Sequence, residues 1–168
     1  LKPISGKAGQ GIMSIQATKG KYILRSRSGE RVISRTTTDL RKLWNAISVK
    51  VKEPYVIQQG IELATFNGRP YDIRVLVQKD DFGKWQLSGV GIRVAGKGSI
   101  TTHVPRGGSI ESPEVVLKQS FRNENYASFM NNLNKVVLEI AEALEEKYPS
   151  LGEMSMDIGA STDGELWF

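Results

Sequence analysis

The chain of 168 residues carries 23 Lys/Arg against 18 Asp/Glu, a net charge of +5, and its 39% hydrophobic and 24% charged content are those of an ordinary globular domain. It contains no cysteine, which excludes a disulfide scaffold, a thiolate metal site and a cysteine nucleophile and fits a reducing compartment. No apolar run reaches the length of a membrane span, and no signal peptide is visible. The chain opens at Leu1-Lys2-Pro3 without an initiator Met and closes on Trp167-Phe168, so both ends read as cuts rather than natural termini.

The first segment is Lys2-Pro3-Ile4-Ser5-Gly6-Lys7-Ala8-Gly9-Gln10-Gly11-Ile12, with three glycines and two lysines in one loop. Glycines let backbone N–H groups approach phosphate oxygens, and lysine adds compact positive charge. The spacing fits neither the P-loop nor the dinucleotide fingerprint, so the segment alone reads equally as a phosphate cradle or a glycine-rich hairpin. Ile12–Ala17 and Lys21–Arg27 read as strands joined at Lys19-Gly20. A helix follows, with Thr37 or Thr38 as its cap and Leu40, Leu43, Trp44, Ile47 and Val51 as a core-facing stripe, and Pro54 stops it.

Tyr55–Gln59 reads as a short apolar strand entering the turn Gln58-Gln59-Gly60-Ile61-Glu62. Such a turn either offers backbone groups to a purine edge, with Glu62 for ribose hydroxyls, or is a plain strand-to-loop transition. Tyr71–Lys79 and Lys84–Ala95 are longer strands around an Asp80-Asp81-Phe82-Gly83 hairpin turn. Alternation puts Asp72 and Arg74 on one face of the first strand, and Arg93 can lie across from them. The two arginines form either an anion clamp or an exposed salt-bridge ladder.

Residues 96–112, rich in Gly, Ser and Thr, read as a strand edge and a mobile loop. A long helix follows from about Asn123 to Lys147, with Tyr126, Phe129, Met130, Leu133, Val136, Val137, Ile140, Ala141 and Leu144 on one face, and Pro149 ends it. Met154–Ile158 and Glu165–Phe168 are strands around an Asp163-Gly164 turn. Asp157 stands late in an apolar strand, where a carboxylate serves either a metal ion or a turn. The lone His103 makes no metal cluster, and nothing resembles a Ser–His–Asp triad. Strands, helix, strands, helix and strands joined by hairpins give an α+β class.

Charge is uneven along the chain. Residues 1–53 hold 12 Lys/Arg and 3 Asp/Glu, a net +9, whereas residues 54–168 hold 11 and 15, a net −4. A basic segment of this kind fits an anionic partner or a solvated basic face. Nucleic acid is not the expected partner, because Tyr22 and Trp44 are the only aromatics among the first 53 residues and Trp44 lies on the core stripe.

In this order the pieces resemble the ATP-grasp superfamily. Lys2-Pro3 and its glycine loop, with Ser5, Gly6, Gly9 and Gly11, look like the family's phosphate-binding lysine and lid. Gln58, Gln59, Ile61 and Glu62 look like its adenine and ribose hinge. Asp72-Ile73-Arg74 matches the Asp-x-Arg strand, Arg93 the second strand arginine, Gly107-Gly108 the Gly-Gly loop and Asp157 the first metal carboxylate. Gln58-Gln59-Gly60-Ile61, the run Gly68–Lys79 and Trp85 look closest to the endospore coat-associated proteins of spore-forming bacteria.

The resemblance implies a smaller basic lobe, residues 1–57, and a larger lobe, residues 58–168, gripping ATP and Mg²⁺ between them. It implies carboxylate activation through an acylphosphate that an amine or other nucleophile resolves, with Arg74 and Arg93 stabilising the transferring phosphoryl group. A coat or scaffold protein that keeps the fold without ligating is the alternative. The implied partners are ATP, an unidentified carboxylate and nucleophile, and spore coat proteins, and the implied location is the cytoplasm or the spore coat. The chain departs from the family where it stops before the expected Glu-x-Asn, where His103 stands near a usual Asn, and where the family's preceding domain would lie.

Overall fold

The computed structural model describes residues 1–5, 10–28, 31–99, 102, 107–121 and 125–168. Strand β1 (Lys2–Pro3) pairs antiparallel with β5 (Tyr55–Val56), Lys2 opposite Val56. Between them lies an antiparallel meander of β2 (Met13–Thr18), β3 (Lys21–Ser28) and β4 (Arg31–Thr37). Its first turn takes φ +46° at Lys19 and +76° at Gly20, the positive pair that a two-residue hairpin loop needs. Strand β4 replaces the expected lead into the helix.

Helix α1 (Leu40–Ser48) starts at Asp39, whose carboxylate accepts the Arg41 N–H at 2.8 Å. Thr37 and Thr38 therefore do not cap it; the Thr37 hydroxyl instead accepts the Asp39 N–H at 3.1 Å. Leu43 and Ile47 pack with Met13 and Leu24 into a small core, flanked by Leu1, Tyr22, Ala46, Val51 and Tyr55. The expected stripe is narrower than read, since Leu40 and Trp44 stay 59% and 65% exposed. The strand expected to reach Gln59 ends at Val56.

The third and largest sheet runs β11-β10-β7-β8-β9, with β6 (Thr65–Phe66) also on β7. Its strands are β7 (Arg69–Lys79), β8 (Trp85–Val94), β9 (Ser109–Glu111), β10 (Glu153–Ala160) and β11 (Leu166–Trp167), every pairing antiparallel. Two helices, α2 (Pro113–Ser120) and α3 (Tyr126–Lys147), cover one face. The sequence reading missed α2 and began α3 slightly early; Asn125 caps α3 by accepting the Ala127 N–H at 2.9 Å.

Period-two alternation buries Tyr71, Ile73, Val75 and Val77 of β7, Ile92 and Val94 of β8, and Met156, Ile158 and Ala160 of β10. They meet Val116 and Leu117 of α2 and Phe129, Leu133, Val137 and Ala141 of α3 in one core. Each such aliphatic side chain contributes about 1.5–3 kcal/mol on burial, so this core fixes the sheet against its two helices. Glu145 pins α3 to the β7–β8 hairpin: it accepts the Trp85 indole N–H at 2.7 Å and pairs with Lys79 at 2.5 Å. The Lys79 ammonium also stands 5.2 Å from the centre of the Trp85 ring. Helices on one face of antiparallel sheets make the architecture α+β, as the order of elements implied.

Candidate functional site

The same alternation that buries Ile73 and Ile92 sends Asp72, Arg74, Arg93 and Asp157 to the sheet face turned away from α2 and α3. Register completes the grouping, because Asp72 lies opposite Arg93 and Arg74 lies opposite Asp157. Arg93 grips Asp72 with two hydrogen bonds, Nε at 2.8 Å and Nη2 at 2.6 Å. Arg74 grips Asp157 the same way, Nε at 2.5 Å and Nη2 at 3.1 Å. Arg93 Nη2 also reaches Asp157 Oδ2 at 2.9 Å, which joins the two pairs into one network. Thr102 donates to Asp72 Oδ2 at 2.5 Å. Both arginine–carboxylate grips are the planar two-point kind that fixes orientation.

Burial grades the network. Arg93 and Asp72 are only 16% and 15% exposed, whereas Arg74 and Asp157 are 46% and 51% exposed. The Asp72 hydrogen bond lifts the Arg93 pKa above its ordinary value, against the opposing effect of desolvation and with further help from Asp157. For Asp157, desolvation pushes the carboxyl up, but the hydrogen bonds and charges of Arg74 and Arg93 together outweigh it and hold the pKa below the usual value. Asp157 is therefore an ionised carboxylate that still faces solvent.

Lys2 lies on β1, exposed and opposite Val56. Two residues later the chain enters the run Gln58, Gln59, Ile61 and Glu62, which is exposed and irregular. That run is tied to the Asp157 strand at its far end: the Thr162 N–H donates to the Glu62 carbonyl at 3.2 Å, the Ala64 N–H to the Ala160 carbonyl at 2.8 Å, and Leu63 bridges Ser161. One short stretch of chain thus connects the Lys2 strand to the Asp157 strand.

Ser5 donates its hydroxyl to Glu53 at 2.8 Å. Gly11 takes φ +73°, and a Cβ there would stand 2.8 Å from Pro3 Cγ and 2.9 Å from the Tyr55 hydroxyl. Gly6, Gly9 and His103 lie outside the described residues. Gly107 and Gly108 lead into β9, Gly107 at φ +81°.

The donor set fits a hard cation only in part. Among the described residues no three His, Cys, Asp or Glu converge as a metal cage. One half-exposed carboxylate, Asp157, suits Mg²⁺ as long as phosphate oxygens and water fill the rest, which is the usual way this ion is held. The sequence reading placed Asp72 on this face but missed Thr102, which lies in a loop with no periodicity to assign it.

A family model described as YheC/D like ATP-grasp matches residues 1–168. The chain is 28% identical over 171 residues to the endospore coat-associated protein YheD of Bacillus subtilis (strain 168), a match covering 99% of this chain and 37% of that protein. It is 20% identical over 167 residues to the endospore coat-associated protein YheC of the same organism, covering 99% of this chain and 46% of that protein. The chain thus spans less than half the length of each of these relatives. No solved structure matches it.

Proposed function

The chain belongs to the YheC/D-like ATP-grasp family, and from that premise we propose that it binds ATP with Mg²⁺ and activates a carboxylate for ligation. The observation that carries this reading is the network on the open sheet face, where two arginines orient a solvent-facing carboxylate. The two separate hydrophobic cores support a division into a basic lobe, residues 1–57, and a larger lobe, residues 58–168. Lys2, Ser5 and the glycines at 6, 9 and 11 would hold phosphates from the basic lobe. Gln58, Gln59, Ile61 and Glu62 would receive the adenine and ribose from the chain run that links the two lobes.

In the proposed reaction a substrate carboxylate oxygen attacks the γ-phosphorus of ATP. The bond to the bridging oxygen breaks, and ADP leaves with the electron pair. A nucleophile, an amine in the simplest case, then attacks the acyl carbon and expels phosphate. Arg74 and Arg93 would donate to the equatorial oxygens of the transferring group, where charge develops. Asp157 would hold Mg²⁺, which neutralises phosphate charge when bound. The names of the relatives support a place at the spore coat, with coat proteins as partners.

A second reading is a coat scaffold that retains the fold without ligating. Both Asp157 oxygens already accept arginine hydrogen bonds, as they would in a purely structural ladder. Calorimetry of ATP with and without Mg²⁺ on the full-length protein, followed by ADP release over pools of carboxylates and amines, separates the two. The ligase reading expects Mg²⁺-dependent ATP binding that Asp157→Asn removes without unfolding, and ADP release with some carboxylate. Binding that Asp157→Asn leaves intact removes Asp157 from the metal site, and the absence of any ATP binding overturns the reading.

A further inference from the structure

A groove of about 300 Å³ lies between α1 and the edge strand β4, lined by Leu24, Leu43, Ala46, Arg35, Lys42 and the Thr36–Thr37 segment. These elements carry none of the nucleotide-site residues proposed above. Arg35 shares the helix-facing side of the meander with Leu24, its cross-strand partner. Lys42 comes from α1 beside Leu43 and one turn before Ala46. The groove therefore sets the half-buried Ala46 and the last accessible edges of Leu24 and Leu43, 2% and 7% exposed, beside two exposed cationic side chains.

Nothing described neutralises those cations. Among the described residues, Arg35 and Lys42 form no ion pair. The carboxylate nearest in sequence, Asp39, is engaged in capping α1 through the Arg41 N–H. The Thr37 hydroxyl is likewise engaged with the Asp39 backbone. The surrounding third of the chain, residues 1–53, is net +9, so its field also favours an anion here.

We propose that this groove binds a small amphipathic monocarboxylate. The carboxylate lies between Arg35 and Lys42, and an aliphatic or aromatic body rests on Leu24, Leu43 and Ala46. The volume accommodates roughly ten heavy atoms if each takes about the space of a water molecule, and it stands at the lower end of the range for small-molecule sites. A cation is repelled, and a neutral polar molecule gains neither charge-assisted hydrogen bond. An apolar alcohol of equal length covers the floor but forgoes both charge-assisted hydrogen bonds. Carboxylate selectivity over the alcohol is thus the signature of the site.

The test titrates the protein, free of nucleotide, with octanoate, octanol and acetate, followed by calorimetry and by the methyl NMR signals of Leu24, Leu43 and Ala46. Octanoate is expected to bind at least about tenfold more tightly than either control, a ratio that calorimetry resolves, and to move those three methyl signals. Arg35→Gln with Lys42→Gln should lower octanoate affinity about tenfold or more while leaving octanol binding unchanged. Both side chains are exposed, so circular dichroism should stay that of the parent. Ala46→Leu, which fills the floor, provides a second variant that should block octanoate with both cations in place. Equal binding of octanoate and octanol, full octanoate affinity in the double Gln variant, or signals that move elsewhere overturn the proposal. Because no nucleotide is present, failure here leaves the ATP reading untouched.

Discussion

Replacing Arg93 by Met should destabilise the fold considerably more than replacing Arg74 by Met, although both arginines reach Asp157. Arg93 and Asp72 are 16% and 15% exposed, and Arg93 supplies both short hydrogen bonds that Asp72 receives from the neighbouring strand. Without Arg93, Asp72 keeps only the Thr102 hydroxyl among the described residues. Removing one partner of a fully buried pair costs about 3–5 kcal/mol. The remaining exposure here lowers the figure to about 2–3 kcal/mol, the range for stranding a charged hydrogen-bonding group. Arg74 and Asp157 are 46% and 51% exposed, and ion pairs in such surroundings contribute about 0–1 kcal/mol.

The gap between the two variants is therefore about 2 kcal/mol. In a domain of this size each kcal/mol moves the melting temperature by roughly 2–4 °C, so Arg93→Met should melt roughly 4–8 °C below Arg74→Met. Urea unfolding at about neutral pH without nucleotide, with equal slopes required for both variants, measures the same gap in free energy. Adding Asp72→Asn to Arg93→Met should recover part of the loss, since the stranded charge goes with it. Losses for the two single variants that agree within about 0.5 kcal/mol, the margin within which independent sites add, would refute the burial argument.

Lys2→Ala should weaken ATP binding by roughly ten- to a hundredfold, the loss of one charge-assisted contact of about 1.5–3 kcal/mol; unchanged calorimetric affinity removes Lys2 from the site. Gly11→Ala should destabilise by about 1–3 kcal/mol, because φ is +73° and the added Cβ meets Pro3 and Tyr55; a melting temperature at or above that of the parent contradicts the close approach. Glu145→Gln should lower stability at neutral pH and lose its effect in acid. The Lys79 hydrogen bond first, then that of Trp85, hold the Glu145 pKa below its ordinary 4.5. Its contribution is thus complete above the unfolded value and fades as pH falls through the folded one. A Glu145→Gln deficit that persists unchanged through that acid range speaks against the ionised clamp.

What the sequence revealed depended on how strongly a core imposed periodicity. In residues 71–77 every second residue is buried against α2 and α3, so the open face with Asp72 and Arg74 followed directly. Asp157 was placed by the same logic from Met156 and Ile158. Strand β4 escaped because it is an edge strand whose residues are exposed or half-buried, leaving no alternation to read. That omission hid the Arg35 side of the groove.

Thr37, Thr38 and Asp39 can all cap a helix, and only the Asp39 hydrogen bond to Arg41 distinguishes them. Helix α2 is eight residues long, too short to repeat its apolar face. Leu40 and Trp44 fit the helical period, yet a nine-residue helix on a three-stranded sheet buries only Leu43 and Ile47.

The open sheet face also removes an apparent conflict between a salt-bridge ladder and an anion clamp. Arginine carries five N–H donors in a fixed fork. In this network Arg74 and Arg93 spend Nε and Nη2 on Asp72 and Asp157. The Nη1 donors of both stay outside these bonds, held in a plane that the carboxylates fix. On the proposed reading the ladder is what orients the clamp, so that little reorganisation accompanies phosphoryl transfer. The network cannot supply net charge, because two arginines and two aspartates cancel. On the same reading the attraction for a polyanionic triphosphate comes from residues 1–53, at net +9. Neutralising exposed lysines of that segment should weaken nucleotide binding in proportion to charge and with steep salt dependence, whereas Arg74→Met should alter turnover more than affinity. An Arg74→Met variant that loses affinity and turnover equally would place net charge, not orientation, at the sheet.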